Sequence, residues 1–134
     1  MAFVGFEFHN ISVNKNENVQ GKITINNNVA IKDVKKADLK ITGDKENAVK
    51  FVFEYNSEYG KLGSIVLGGS VLYLSTESEV KSILDGWKKD KSVKKEIMTA
   101  LINRILAKCN IQTILLSDTV NLPPPVPMPR VKTK

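Results

Sequence analysis

The residues best suited to chemistry are few. His9 is the only histidine and Cys109 the only cysteine among 134 residues. One imidazole and one thiol, far apart in sequence, cannot supply the four ligands of a structural zinc site, although carboxylates can hold a weak metal without leaving a signature. A Ser-His-acid relay can be assembled only around His9, which stands on an expected strand beside a polar loop. Cys109 lies on the apolar side of an expected helix, which favours a buried structural thiol over a nucleophile, and no intrachain disulfide is possible. Gly68-Gly69 lacks the closely following Lys-Ser/Thr or third glycine of a phosphate-cradling loop. Inside a strand, a glycine pair reads as a bulge or bend. The carboxylates fall mainly in turns or beside lysines, as on a solvated surface. An enzyme has little to stand on here, and no cofactor or metal is expected.

The bulk properties point the same way. The length suits one domain over 1–134, and 42% hydrophobic residues is ordinary for a globular protein. No apolar run approaches the eighteen or more residues of a membrane span, so membrane insertion is not expected. Met1-Ala2-Phe3-Val4-Gly5-Phe6-Glu7-Phe8 has neither the basic start nor the cleavage site of a secretion signal, and a cytoplasmic location is expected. The net charge of +6 favours an acidic partner: nucleic acid, acidic protein or unfolded chains. The cations are dispersed, however, at Lys35-Lys36, Lys88-Lys89, Lys91, Lys94-Lys95, Arg130, Lys132 and Lys134. No Arg-rich run or glycine-aromatic signature of an RNA-binding sheet accompanies them. A basic nucleic-acid-binding or scaffold protein stays open as the alternative function.

The elements that must position these residues follow from periodicity. Gly5 to Val13 reads as a strand in which Phe6 and Phe8 share one face while Ile11 and Val13 have the opposite parity. That phase change predicts a bulge near His9-Asn10. Asn14 to Asn18 reads as a loop. A second strand begins at Lys22-Ile23-Thr24-Ile25-Asn26. The odd-numbered Ile23, Ile25, Val29 and Ile31 favour a continuous strand across Asn26-Asn27-Asn28, with a hairpin turn there as the other option. Asp38 to Ile41 reads as a short strand or a run-in, and Gly43 to Asn47 as a turn. Ala48 to Tyr55 is the strongest strand, and Leu62 to Leu74 a long one interrupted at Gly68-Gly69.

Thr76-Glu77-Ser78-Glu79 has capping-box spacing. The short helix it opens carries Val80, Ile83, Leu84 and Trp87, with Trp87 as a packing anchor and an end or kink expected at Gly86. Asp90 to Asn110 then forms a long helix, capped by Asp90 or Ser92 and stopped by Asn110. Its two rows, Ile97, Leu101, Ile105 and Met98, Ile102, Leu106, Cys109, make an apolar face wider than the roughly 100° stripe that rests on one sheet. The second row is therefore expected at an oligomer interface. Beyond Asn110 no helical period is sustained, and Pro123-Pro124-Pro125-Val126-Pro127 enforces an extended segment. That segment needs a groove in its own subunit or a neighbour's, or serves as a ligand for an aromatic-lined partner.

Strand-turn-strand from Val49 to Leu74, the passage through Leu72-Tyr73-Leu74-Ser75 into the helices, and the long helix occur in the order of one known family. With Thr119-Val120-Asn121-Leu122-Pro123-Pro124-Pro125-Val126, which looks like a Leu-Asn-Leu-Ala-Pro-Val connecting loop carrying an added proline, the chain resembles the SecB family of export chaperones. The likeness covers most of the chain in topology and is specific in the Asn-Leu-x-Pro-x-Val portion.

The resemblance implies an α+β fold, an antiparallel sheet of about four strands (1–75) followed by a short and a long helix packed on one face (76–110) and an extended segment (111–134). It implies an ATP-independent holdase for unfolded polypeptides, assembled as a dimer or tetramer. Its client groove would be lined by Ile114, Leu115, Leu116, Val120, Leu122 and Val126, with Phe51, Phe53 or Tyr73 in the floor. Two departures bear on partners. Only Val131-Lys132-Thr133-Lys134 follows the prolines where the family has a further helix, and typical members are acidic. At +6, docking to the positively charged tail of the SecA motor is not expected.

Overall fold

Strict alternation in one half of the chain and a three-to-four spacing in the other produce an α+β architecture. A computed structural model describes the backbone of residues 2–17, 21–41 and 44–126, and the side chains of these except 38–41 and 44–46. Strands β1 (Ala2–Lys15), β2 (Asn26–Ile41), β3 (Asp44–Glu58) and β4 (Gly63–Leu74) form an antiparallel sheet in the order β1-β4-β3-β2. Helices α1 (Glu77–Asp90) and α2 (Lys95–Val120) follow. α1 packs toward β3 and β2, and α2 toward β4 and β1.

The central pair sets the core. Val49, Phe51, Phe53 and Tyr55 lie opposite Tyr73, Val71, Gly69 and Leu67. Directly opposed residues of antiparallel strands share a face, so every odd-numbered side chain of this stretch enters one layer. These residues are buried together with Val80 and Ile83 of α1 and Ile97, Leu101, Ile105 and Cys109 of α2.

β1 joins this layer only because it bulges. Its pairing skips Val4 and His9, which places Phe3, Phe6, Phe8 and Val13 opposite Tyr73, Val71, Gly69 and Ile65 despite their mixed parity. Each extra residue reverses the alternation once. The bulge expected at His9-Asn10 is present; the one at Val4 goes unannounced because Val4 is itself apolar. A third irregularity at Lys32 in β2 lets Ile31 and Val34 both face the core strand, opposite Phe53 and Phe51.

Several boundaries differ from expectation. Asn26-Asn27-Asn28 lies within β2, as parity favours, but Gly21 to Ile25 precedes the strand, and Asp38 to Ile41 simply continues it. Asp44 to Asn47 belong to β3, where each pairs with β2. The remainder of that expected turn, Gly43, lies outside the described residues, as do Asn18 and everything after Val126. Asn14 and Lys15 extend β1.

The glycine pair does not bulge β4, whose register with β3 runs unbroken through Gly68 and Gly69. The irregularity is opposite, in β1. Gly69 is required by space: a Cβ there would fall on the Glu7 carbonyl oxygen and stand 3.0 Å from the Phe53 ring.

Thr76 caps α1 by accepting the Glu79 N–H at 3.3 Å. Glu79 does not complete the box; its carboxylate accepts the Tyr73 hydroxyl at 2.7 Å and ties the first turn to β4. Burial first, then the hydrogen bond and charge of Glu79, push the Tyr73 phenol up to about 12. α1 runs through Gly86 to Asp90 and ends on Lys91, whose φ is 54°. Gly86 serves a different need: a Cβ there would stand 3.0 Å from the Ser92 carbonyl, where the chain turns back across the helix. Asp90 and Ser92 bond each other and do not cap α2, whose N-cap position is Lys94 with no side-chain cap.

The largest correction concerns α2. It does not stop at Asn110 but runs three further turns to Val120, closing on Asn121 with φ 61° and the Asn121 and Leu122 N–H groups returned to Asp118 and Ser117. Residues 111–120, expected extended, are helical. Their buried positions are Thr113 and Ser117, whose hydroxyls are absorbed by Asn110 and Ile114 carbonyls of the same helix at 3.1 and 2.9 Å. The core row Ile97-Leu101-Ile105-Cys109 thus continues with polar members, which hides the period from a reading by hydrophobicity.

The Gly69 contact gives a paired test. Gly69→Ala should lower thermal stability sharply by prying β1 from β4. Gly68→Ala, whose nearest neighbour is the Asn10 Cβ at 3.6 Å, should change it little. Equal melting temperatures for the two variants would contradict this packing.

Candidate functional site

The residues expected to line a client groove fall in different settings. Phe51, Phe53 and Tyr73 are buried beneath the helices, and Leu122 is buried as well. They are core, because the odd face of the sheet is already covered by α1 and α2. Ile114, Leu115, Leu116 and Val120 are on α2 rather than on an extended segment; Leu116 and Val120 turn inward onto the core, and Leu115 is 59% exposed. Val126 is half-buried. Of the expected interface row, Cys109 is fully buried within its own chain, whereas Met98, Ile102 and Leu106 stay half-buried. Burial pushes the Cys109 thiol up to about 12, which keeps it protonated and unreactive at neutral pH.

Beside Leu115, one apolar residue missing from that expectation matters. Ile111 is 62% exposed, one turn before the exposed Leu115. At 3.6 residues per turn, Leu115 stands about five turns directly in line with Ile97. Yet Ile97 is 9% exposed. The same side of α2 is covered at its start and open near its end. Each i+4 step advances a row by roughly 40°, so the buried row swings about the helix axis and leaves Ile111 and Leu115 facing outward.

Beyond Asn121 the chain folds back onto the end of the sheet where β3 passes into β4. The Tyr59 hydroxyl donates to the Pro123 carbonyl at 2.7 Å, and the Asn27 amide to the Pro125 carbonyl at 2.9 Å. Leu122 and Pro125 are buried; Pro123 and Pro124 are exposed. Asn27 is aimed by a relay. Ser57 Oγ lies 2.7 Å from Asn27 Oδ1 and 3.1 Å from the Tyr55 hydroxyl. Ser57 has one proton, and Asn27 Oδ1 can only accept, so that proton goes to Asn27 and the Tyr55 phenol donates to Ser57. The amide nitrogen of Asn27 is thereby left pointing at Pro125. Burial, with the Tyr55 phenol as a second contributor, pushes the Tyr59 phenol up to about 12 and keeps its proton available.

His9 also finds a partner. The bulge that frees it from the ladder sets its Nε2 2.9 Å from Ser70 Oγ, with Glu7 Oε1 4.0 Å from Nδ1. Two members of a relay are bonded, and the carboxylate stands beyond hydrogen-bonding distance. Ser70 lies mid-strand with β1 on one side and β3 on the other. The ladders engage the backbone groups that an oxyanion would need. Among the described residues, no group of three or more His, Cys, Asp or Glu is placed to hold a metal ion, and no helix is long and apolar enough to cross a membrane.

No family model matches the chain, and no curated protein matches it. Among solved structures it is similar to the Mycobacterium tuberculosis Rv1957 SecB-like chaperone in complex with a ChAD peptide from the Rv1956 HigA1 antitoxin. The identity is 10% and the TM-score 0.47, over 99% of this chain and 91% of that one.

The capture of the proline segment should be measurable. Tyr59→Phe and Asn27→Ala each remove one donor to a proline carbonyl and should each cost about 0.5–1.5 kcal/mol in denaturant unfolding. Ser57→Ala should reproduce part of the Asn27 effect without adding to it, because it acts through Asn27; full additivity would break the relay.

Alkaline titration offers a second check. Tyr59 and Tyr73 have folded values near 12 against about 10 unfolded. Their stabilisation is therefore complete below pH 10 and is lost as pH rises toward 12. Ionisation of both phenols near pH 10 in a protein with native circular dichroism would contradict their burial.

Proposed function

We propose that the protein is an ATP-independent holdase that retains non-native polypeptide on apolar surface its own fold leaves open. One observation carries the reading: the apolar line that is buried at Ile97 emerges at Ile111 and Leu115, 62% and 59% exposed. Half-buried Ile114 lies one turn from Ile111 on the same helix, so the exposed pair has an apolar neighbour rather than standing alone.

Isolated exposed apolar residues are normal, whereas contiguous ones mark association or binding. Such binding gains about 25 cal/mol per Å² of apolar area removed from water and needs no particular client sequence. The resemblance of the chain to the SecB family supports both halves of the proposal, a homo-oligomer and a client without fixed structure. The lysines exposed around the junction of the helices, Lys88, Lys89, Lys91, Lys94 and Lys95, add loose attraction for acidic segments. A location in the cytoplasm, where such clients emerge, fits the same reading.

The test joins solution mass to aggregation suppression on one sample. The wild-type chain should be an oligomer and should keep a denatured client soluble without nucleotide. Ile111→Asp and Leu115→Asp, both at exposed positions, should leave the melting temperature nearly unchanged and abolish holding, assembly or both. If mass and suppression are untouched in both variants, this surface is not the working one.

A further inference from the structure

The end of the sheet holds a site built to read extended chain, and its present occupant is the protein's own proline segment. We propose that the Tyr59–Asn27 cradle is a binding site for extended, proline-bearing polypeptide, occupied in cis by residues 122–126 and opened to a client when they leave. This rests on the reading of the chain as a polypeptide-binding protein.

The chemistry of the two sides carries the argument. Tyr59 and Asn27 present an O–H and an N–H to the segment, and both bonds end on backbone carbonyls, those of Pro123 and Pro125. Proline has a carbonyl but no N–H. Two groups engaged as donors are satisfied by such a chain, whereas an ordinary extended chain brings N–H groups that must find acceptors of their own. The two accepting carbonyls are two residues apart. They read backbone, not side chain, so sequence enters only through the proline requirement and the buried position of Pro125. Both donors are oriented: Tyr59 is fully buried, and the exposed Asn27 is aimed through Ser57 and Tyr55.

The resident segment is held so that it can be exchanged. Leu122 roots it in the core, but from there to Val126 its attachments among the described residues are two side-chain hydrogen bonds, the burial of Pro125 and the partial burial of Val126, with Pro123 and Pro124 exposed. The fixed φ of proline lowers the entropy lost on docking, and its position directly after α2 gives it a high effective concentration at the site. A second chain competes with a tethered one, so affinity in trans is masked until the tether is weakened.

The experiment uses the full chain carrying Pro123→Gly, Pro124→Ser and Pro125→Gly together, and a fluorescently labelled peptide with the sequence of residues 121–126. Anisotropy should show at least about tenfold tighter peptide binding by this variant than by wild type, and adding Asn27→Ala should reverse the gain. Equal binding by variant and wild type, or a gain that Asn27→Ala leaves intact, overturns the proposal. So does a variant that only exchanges segments between copies, seen as a doubled mass with no peptide bound. Should the triple variant fail to fold, the unmodified chain decides. Excess peptide should move its Val126 methyl resonances toward random-coil positions, and unmoved resonances at saturation overturn the site. Holding of a denatured client is scored separately. Peptide binding without holding leaves the cradle standing and removes the holdase; holding without a gain in peptide binding does the reverse.

Discussion

The contact between α2 and the odd face of β3 and β4 is the constraint on which the remainder depends. Val49, Phe51, Phe53 and Tyr55 across from Leu67, Val71 and Tyr73 create an apolar layer that one sheet cannot leave facing water. Ile97, Leu101, Ile105 and Cys109 close it. Because these four follow each other at intervals of four rather than 3.6, the line of contact turns about the helix as it advances. A helix so placed cannot hide the same side along its whole length. The exposure of Ile111 and Leu115 is thus a consequence of how Ile97 and Leu101 are buried.

The same geometry delivers the end of α2 to the cradle. Asn121 in the left-handed region reverses the chain, Leu122 drops into the core, and Pro123 to Pro125 pass over the sheet end beside Tyr59. Lys15 Nζ reaches the Asn121 carbonyl at 3.4 Å, and Asn16 bonds the turn at Lys61 and Leu62 through side chain and backbone. Three chain segments distant in sequence converge there through polar contacts. A region fixed by directed hydrogen bonds at its rim is also where local opening costs least.

What could be read from the sequence follows the range of the interaction. Alternation in β3 and β4 is local and strong, and the bulge at His9-Asn10 shows as a parity change between Phe8 and Ile11. The bulge at Val4 does not, since Phe3, Val4 and Phe6 are all apolar and any phase fits them. The end of α2 was misplaced for a different reason: Thr113 and Ser117 occupy buried positions where hydrophobicity predicts apolar residues. Asn110 and Asn121 are equally able to adopt the left-handed conformation, and only burial of the intervening turns selects the second. The cradle was beyond reach altogether, because Asn27, Ser57, Tyr59 and Pro125 meet only through the tertiary fold. Nothing in their spacing signals it, apart from the general inability of the proline segment to remain free.

Several polar residues in this protein aim a neighbouring side chain. Glu79 leaves its capping role to hold the Tyr73 hydroxyl, Ser57 hands the Tyr55 proton chain on to Asn27, and His9 rests on Ser70. Each bond settles the orientation of a side chain at the boundary between core and surface, where an unaimed polar group would cost more than it returns. The core is closed by shape, with Leu101, Ile105 and Cys109 sealed from solvent. The open positions lie on a helix already stabilised by that core, so covering or uncovering Ile111 and Leu115 does not put the fold at risk. The sealed core and the open surface therefore use different residues of the same helix.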